Sequence, residues 1–236
     1  MKIIQFMKTR YVDVKKLAAE NRFKSGAYIY VNPFNYMFLR KRPDITEVAF
    51  YRSDGIYLIT ILKAFLPKSL NFYRQSFDMT SLAPIIFEHC QRNNLSIFIA
   101  GGKEGDASKF ISRVNSNFPD IKWKGDIDGY ASESVIIEQV LAADADVVIL
   151  GLGNIKQERV AAKLATLKEG LYFTCGAFIS QTANSKTVDY YPNWVNKYNL
   201  RWLYRFFTES HVIKRVINFY PKFLFVFLKD LFFASK

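Results

Sequence analysis

Cysteine and histidine are scarce: two of each occur among 236 residues, Cys90, Cys175, His89 and His211. Two thiols so far apart build neither a disulfide framework nor a metal-ligand spacing. The histidines stand apart with no Cys/His cluster, so a zinc centre is not expected. Both cysteines lie in apolar runs and read as buried free thiols, which suits a reducing compartment. Long apolar stretches are also missing. None reaches the roughly 18 residues of a spanning helix, and the basic start "MKIIQFMKTRYVDVKK" has no apolar core of signal-peptide length. There is no internal repeat and no low-complexity linker. Acidic residues are in deficit, 21 against 33 Lys and Arg, for a net charge of +12. Such a surface suits an anionic partner: a nucleic acid, a nucleotide or an acidic membrane leaflet.

What is present is a globular composition, 50% hydrophobic and 23% charged, with an unusual 17% of aromatics. Runs at 27–32, 47–53, 96–102, 147–150 and 170–178 read as strands, and 121–130 as a strand and turn. Helical patterns at 56–65, 80–94, 104–118, 132–144 and from Asn154 onward alternate with them. That alternation predicts an α/β fold, a Rossmann-like and mostly parallel sheet with helices on both faces. Ligands of such sheets bind at the carboxyl ends of the strands. Asn32, Asp54, Gly101, Gly102, Asp128, Gly151, Gly153 and Cys175 fall there.

Two turns have the form of a ligand-binding strand–turn–helix. In "ADVVILGLGNIKQERVAAKL" (145–164) a strand meets Gly151 and Gly153, then Lys156, Gln157 and Glu158 at a helix mouth. Lys156 stands where a dinucleotide fingerprint needs its third glycine, and no acid closes the next strand, which disfavours a nicotinamide site. The plain alternative is a structural turn with Lys156 and Gln157 in solvent. "GGKEGDASKF" (101–110) repeats the form with Gly101, Gly102 and Lys103; it is not a Walker loop. Free N–H groups at such helix starts attract phosphate. "RSDG" (52–55) puts Asp54 at a strand end, as an N-cap or as a general base. "DID" (126–128) and "DAD" (144–146) match a two-aspartate metal pattern that is frequent by chance. Asp144 and Asp146 precede their strand at the wrong edge, and no metal or other cofactor is assigned.

Residues 1–185 read as the Rossmann-like core and 186–236 as a basic, aromatic, helical appendage. The appendage holds nine Lys and Arg against three acids, half the net charge, and fifteen of the 39 aromatics lie in 190–233. Its helix packs on the core or an oligomer partner, or lies in a membrane interface with phenylalanines in lipid and lysines on phosphates. Phe219, Phe223, Phe225, Phe227, Phe232 and Phe233 are the expected lipid-facing residues.

From about residue 26 to 230 the chain resembles the WecG/TagA/CpsF glycosyltransferases (glycosyltransferase family 26). "GGKEGDASKF" resembles the family's GGKxGxA turn, "NFPDIKWKGDIDGY" its NPxLxIxGxxxGY segment and "ADVVILGLGNIKQE" its PDxxxVGLGxPKQE block, with Ile155 for proline. "YPNWVNKYNLRWLYRFFTE" resembles APxWxxxxGLEWLYRLxxE, and "NPFNYMFL" and "RSDG" resemble TxN and PDG. The resemblance implies an inverting, metal-independent enzyme that moves a sugar from a UDP-sugar donor to a lipid-pyrophosphate-linked acceptor. It would work at the inner face of the cell membrane, in capsule, exopolysaccharide or O-antigen synthesis. It also implies Asp54 as base, Asn35 on the acceptor side, Gln157 at the donor sugar, and Arg205 and Arg215 on the leaving diphosphate. Glu158 would orient Gln157 or bind a hydroxyl; Gly101, Gly102, Lys103, Gly151 and Gly153 complete the donor side. Pro33, Ile179 and Val212 depart from the family pattern. An oxidoreductase lacks its glycine fingerprint. A nucleic-acid binder would not surround its basic residues with Phe and Leu, so no nucleic-acid partner is expected. A non-catalytic membrane-docking protein leaves the strand-end cluster unexplained. The sequence leaves a homo-oligomer open.

Overall fold

The computed structural model describes residues 2–185, Val195 and 210–234, with side chains of the last segment described over 218–233. Six strands form one sheet: β1 Gly26–Val31, β2 Ala49–Ser53, β3 Ser96–Gly101, β4 Lys122–Ile127, β5 Val147–Gly151 and β6 Leu171–Thr174. Their order is β2-β1-β6-β5-β3-β4, and every pairing is parallel. The α/β sheet expected from the sequence is therefore present. β1 and β3 are buried along their whole length, as a parallel sheet covered on both faces requires. β4 is the exposed edge, and Lys122 and Lys124 make it a poor template for further strands.

Helices α1 Ile3–Thr9, α3 Pro33–Leu39, α4 Pro43–Val48, α5 Ile56–Phe65, α8 Glu133–Ala143 and α9 Lys156–Leu167 supply one apolar layer. Helices α2 Val14–Ala19, α6 Leu82–Arg92, α7 Asp106–Asn115 and α10 Phe178–Asn184 supply the other. A final helix, α11, runs from Ser210 to Ala234.

Some boundaries differ from the sequence reading. The 47–53 run begins its strand at Ala49, because Pro43 starts a helical turn that lasts to Val48. The 170–178 run is strand only to Thr174, and Phe178 opens α10. The 104–118 helix begins at Asp106, after Gly105. α3 was not read at all: Asn32 caps it, accepting from Phe34 N and Asn35 N, while Asn35 Oδ1 accepts from Asn32 N, and Pro33 takes the first helical position.

α11 lies along α3 and α1 and touches α5. Phe223 and Phe227 are fully buried, with ring centroids 5.0 and 5.9 Å from Tyr36. Asp230 accepts from Arg40 Nε at 2.8 Å and from the Tyr36 hydroxyl at 3.0 Å. Phe219 meets Phe34 edge-on. This corrects the lipid-facing set: Phe223 and Phe227 belong to the protein core, and only Phe225, Phe232 and Phe233 are strongly exposed. Among the described residues no helix is long and apolar enough to cross a membrane.

Candidate active site at the carboxyl edge of the sheet

Asp54 follows β2 directly, and its N–H donates to Val31 O at the end of β1. Gly55, at φ +83°, turns the chain into α5. Asp54 Oδ1 accepts from Gly55 N at 2.9 Å and from Ser76 Oγ at 2.5 Å. Oδ2 has no hydrogen-bond partner among the described residues. Asp54 is half-buried, with one carboxylate oxygen held by two donors.

Beneath it lies a residue the sequence reading passed over. Arg52 is fully buried, donates to Gln75 O at 2.7 Å and to Thr174 O, and leaves Nε unpartnered. Its guanidinium sits over the Tyr30 and Phe77 rings, 5.7 and 5.6 Å from their centroids. Burial pulls its pKa down to about 10, with Asp54 the strongest opposing influence. The signal in the sequence was an arginine on the inward side of an apolar strand, where a lone cation is costly. Ser76 gave no signal, since it sits in a segment with no periodicity.

The mouth of α9 is a buried polar knot. Glu158 Oε1 accepts from Asn35 Nδ2 at 3.0 Å and Gln157 Nε2 at 3.1 Å, while Oε2 accepts from Ile155 N at 2.5 Å. Asn35 Nδ2 also donates to Tyr30 O, and Gln157 Oε1 accepts from Gly176 N. Asn35, Gln157 and Glu158 are all fully buried. Burial pushes the Glu158 pKa up, against the three donors that favour its charge. The solvated-turn alternative is thereby corrected. Gln157 is internal, and Lys156 Nζ donates to Gly129 O at 2.8 Å and Ala131 O at 2.6 Å, tying α9 to the turn after β4. Ile155 holds φ +79°, strained for a β-branched residue.

The glycine turns divide into two kinds. Gly101 and Gly151 are register partners in β3 and β5. A Cβ on Gly101 would stand 2.7 Å from Gly151 O and from Ile179 Cδ1; one on Gly151 would meet Ile179 at 2.8 Å. Their missing side chains serve the approach of β3, β5 and α10, with Ile179 as the plug. Around Gly153 and Gly105 nothing lies within 4 Å of such an atom, so these two border open space. Lys103 is exposed, and its N–H donates to Asp106 Oδ2, which fixes the turn before α7.

The remaining candidates scatter. Asp128 accepts from Tyr130 N and Ala131 N, and Asp126 from Ser108 Oγ. Asp146 accepts from Ser96 N at the opposite edge of the sheet. Among the described residues no group of His, Cys, Asp or Glu is placed to hold a metal ion jointly. Both cysteines are free and buried. Arg205 lies outside the described residues, and so does the side chain of Arg215.

The edge thus gathers Asp54, Ser76 and Arg52 at β2, the Asn35–Glu158–Gln157 knot between β1 and β6, and two open turns after β5 and β3. Comparison with known proteins gives this arrangement a family. The family profile described as "Glycosyl transferase WecG/TagA/CpsF family" matches residues 4–236. A "UDP-Gal:alpha-D-GlcNAc-diphosphoundecaprenol beta-1,4-galactosyltransferase" of Shigella boydii is 31% identical over 216 residues, covering 89% of each chain. An "N-acetylglucosaminyldiphosphoundecaprenol N-acetyl-beta-D-mannosaminyltransferase" of Bacillus subtilis (strain 168) is 29% identical over 137 residues, 57% of this chain and 52% of the relative. A protein of the same description from Bacillus spizizenii is 25% identical over 189 residues, 78% of this chain and 70% of its own. With the profile spanning nearly the whole sequence, the chain belongs to the WecG/TagA/CpsF family of glycosyltransferases.

Proposed function

We propose that this enzyme transfers a sugar, with inversion, from a UDP-sugar to an N-acetylglucosamine carried on a lipid diphosphate, in the assembly of a surface polysaccharide. The observation that carries the reading is the bare oxygen of Asp54 at the strand end. In the proposed step Asp54 Oδ2 takes the proton of the acceptor hydroxyl. The hydroxyl oxygen attacks the anomeric carbon as the bond to the UDP oxygen breaks, and the electron pair leaves with UDP. Arg205 and Arg215 are assigned to the departing diphosphate on the resemblance of their segments to the family's appendage, and a donor preorganised at that position is worth about 3 kcal/mol. Gly153 and Lys103 border the donor's diphosphate; Gly101, Gly102 and Gly151 let the turns close beneath it. Asn35, Gln157 and Glu158 serve acceptor and donor through the turn at Ile155, which they hold. A peripheral location on the inner membrane face follows from the lipid acceptor and from the exposed phenylalanines and lysines of α11.

The test is a panel of UDP-galactose, UDP-glucose, UDP-N-acetylglucosamine and UDP-N-acetylmannosamine with N-acetylglucosaminyl-diphosphoundecaprenol, the anomer of the product read by NMR. One donor is expected to give a β-linked product, in EDTA as well as without it. Asp54→Asn is expected to keep UDP binding and lower kcat by roughly 10²–10⁴. Wild-type turnover in that variant removes Asp54 from the chemistry, and activity restored only by Mg²⁺ or Mn²⁺ overturns the metal-independent reading.

A further inference from the structure

The segment between the 3₁₀ turn Lys68–Leu70 and α6 has no regular secondary structure, yet one of its residues is pinned on every side. Gln75 N donates to Ser53 O at 3.0 Å, and Gln75 O accepts from Arg52. Its side chain accepts from Val14 N at 2.9 Å and donates to Val12 O at 2.8 Å and the Tyr11 hydroxyl at 2.9 Å. Gln75 is fully buried. This fixing is expensive. It uses a buried arginine with no carboxylate hydrogen-bonded to it among the described residues, which an apolar residue would replace at lower cost if stability were the only demand. The other arm of Arg52 holds Thr174 O, so the end of β6 and residue 75 are locked to the strand that leads into Asp54.

What the lock delivers is the next residue. Ser76 Oγ stands 2.5 Å from Asp54 Oδ1, on the oxygen already bonded by Gly55 N. We propose that Ser76 is a positioning residue for the transfer step: its hydroxyl, set by the Arg52–Gln75 lock, ties down Oδ1 and so commits Oδ2 to the acceptor hydroxyl. The proposal rests on the reading of Asp54 as base. With only the Gly55 N–H on it, the carboxylate would keep rotational freedom about its Cβ–Cγ bond, and either oxygen could face the acceptor. With two donors on Oδ1 that freedom is gone before substrate arrives, which is where proximity catalysis gains.

The experiment is a double-mutant cycle on kcat, using the UDP-sugar that the wild type turns over fastest and N-acetylglucosaminyl-diphosphoundecaprenol. Ser76→Ala is expected to lower kcat about tenfold, the scale of one hydrogen bond to a charged group, with the donor KM within about twofold of wild type. Ser76→Thr and Ser76→Val are near-isosteric and differ in the hydroxyl; Thr is expected to recover most of kcat and Val none. In an Asp54→Asn background, Ser76→Ala is expected to change nothing further, because the group it positions has gone. Wild-type kcat in Ser76→Ala, equal kcat in the Thr and Val variants, or the same loss in both backgrounds overturns the role of Ser76. Wild-type turnover in Asp54→Asn alone overturns the base reading, and Ser76 falls with it.

Discussion

Glu158 and Ile155 occupy one turn and pull its stability in opposite directions. Glu158 accepts three N–H donors in a fully buried place. Glu158→Gln puts an NH₂ among those donors and is expected to cost about 1–3 kcal/mol, read from the urea midpoint at constant m. The carboxyl also sets a pH dependence. Its folded pKa is raised above the ordinary 4.5, so the folded state holds a proton that the unfolded state has released. Stability is therefore full below 4.5 and falls as pH rises through the raised folded value, then levels off. Glu158→Gln is expected to flatten that stretch of the urea-midpoint-against-pH curve; an unchanged slope assigns it to another group. Ile155 carries the opposite liability, a β-branched residue at φ +79°. Ile155→Gly relieves strain of about 1–3 kcal/mol against a Gly entropy cost of about 0.5–1 kcal/mol. A Tm rise of about 2–4 °C is expected by calorimetry. Neither effect was legible in the sequence, where Ile155 read as a departure from the family's proline and Glu158 as a residue that orients Gln157 or binds a hydroxyl. Backbone conformation and burial decide both, and a residue type encodes neither.

At the scale of elements, apolar runs announced β1, β2, β3, β5 and β6, because the inner strands of a parallel sheet are buried on both faces, while the exposed edge strand β4 carries charged residues. Helices of six or seven residues escaped, since two turns are too few for a 3.6-residue period to stand out. The last helix was legible as amphipathic but not as two-faced. Phe223, Phe227 and Asp230 face Tyr36 and Arg40, while Phe225, Phe232, Phe233, Lys222 and Lys229 occupy the opposite side. The two faces predict separable phenotypes. Phe223→Ala or Phe227→Ala is expected to destabilise the fold by about 3–5 kcal/mol in urea titration. Phe225→Ala and Phe232→Ala are expected to stay within about 0.5 kcal/mol of wild type. If the Phe225 variant is as destabilised as the Phe223 variant, the assignment of faces is wrong.

For the whole molecule, the surplus of twelve positive charges is the most legible property and the least specific. It becomes specific through position, because Lys222 and Lys229 stand beside exposed phenylalanines on α11. The protein is expected to sediment with vesicles containing anionic lipid, less with neutral ones, and less again at high salt. Lys222→Glu with Lys229→Glu removes about 1 kcal/mol of attraction per lysine and adds repulsion, so binding should fall well over tenfold. Indifference of the wild type to anionic vesicles ends the membrane reading. The sequence located the carboxyl edge and Asp54 because strand ends are marked by punctuation. It could not reveal that Ser76, Arg52 and Thr174 meet there, since such contacts join segments distant along the chain.

The Arg40–Asp230 bond has a further consequence, in time. Its partners are 190 residues apart. At ribosomal speeds of about 5–20 residues per second, roughly 10–40 s separate the synthesis of the two. Tyr36 and its apolar neighbours on α3 are made early and find Phe223 and Phe227 only when α11 emerges. A nascent chain therefore carries an uncovered aromatic seam through nearly the whole of translation, and the helix that closes it is the one that also presents phenylalanines outward. Ribosome-bound chains stalled before residue 218 are expected to be protease-sensitive at α3, and chains stalled far enough downstream to free α11 to be protected.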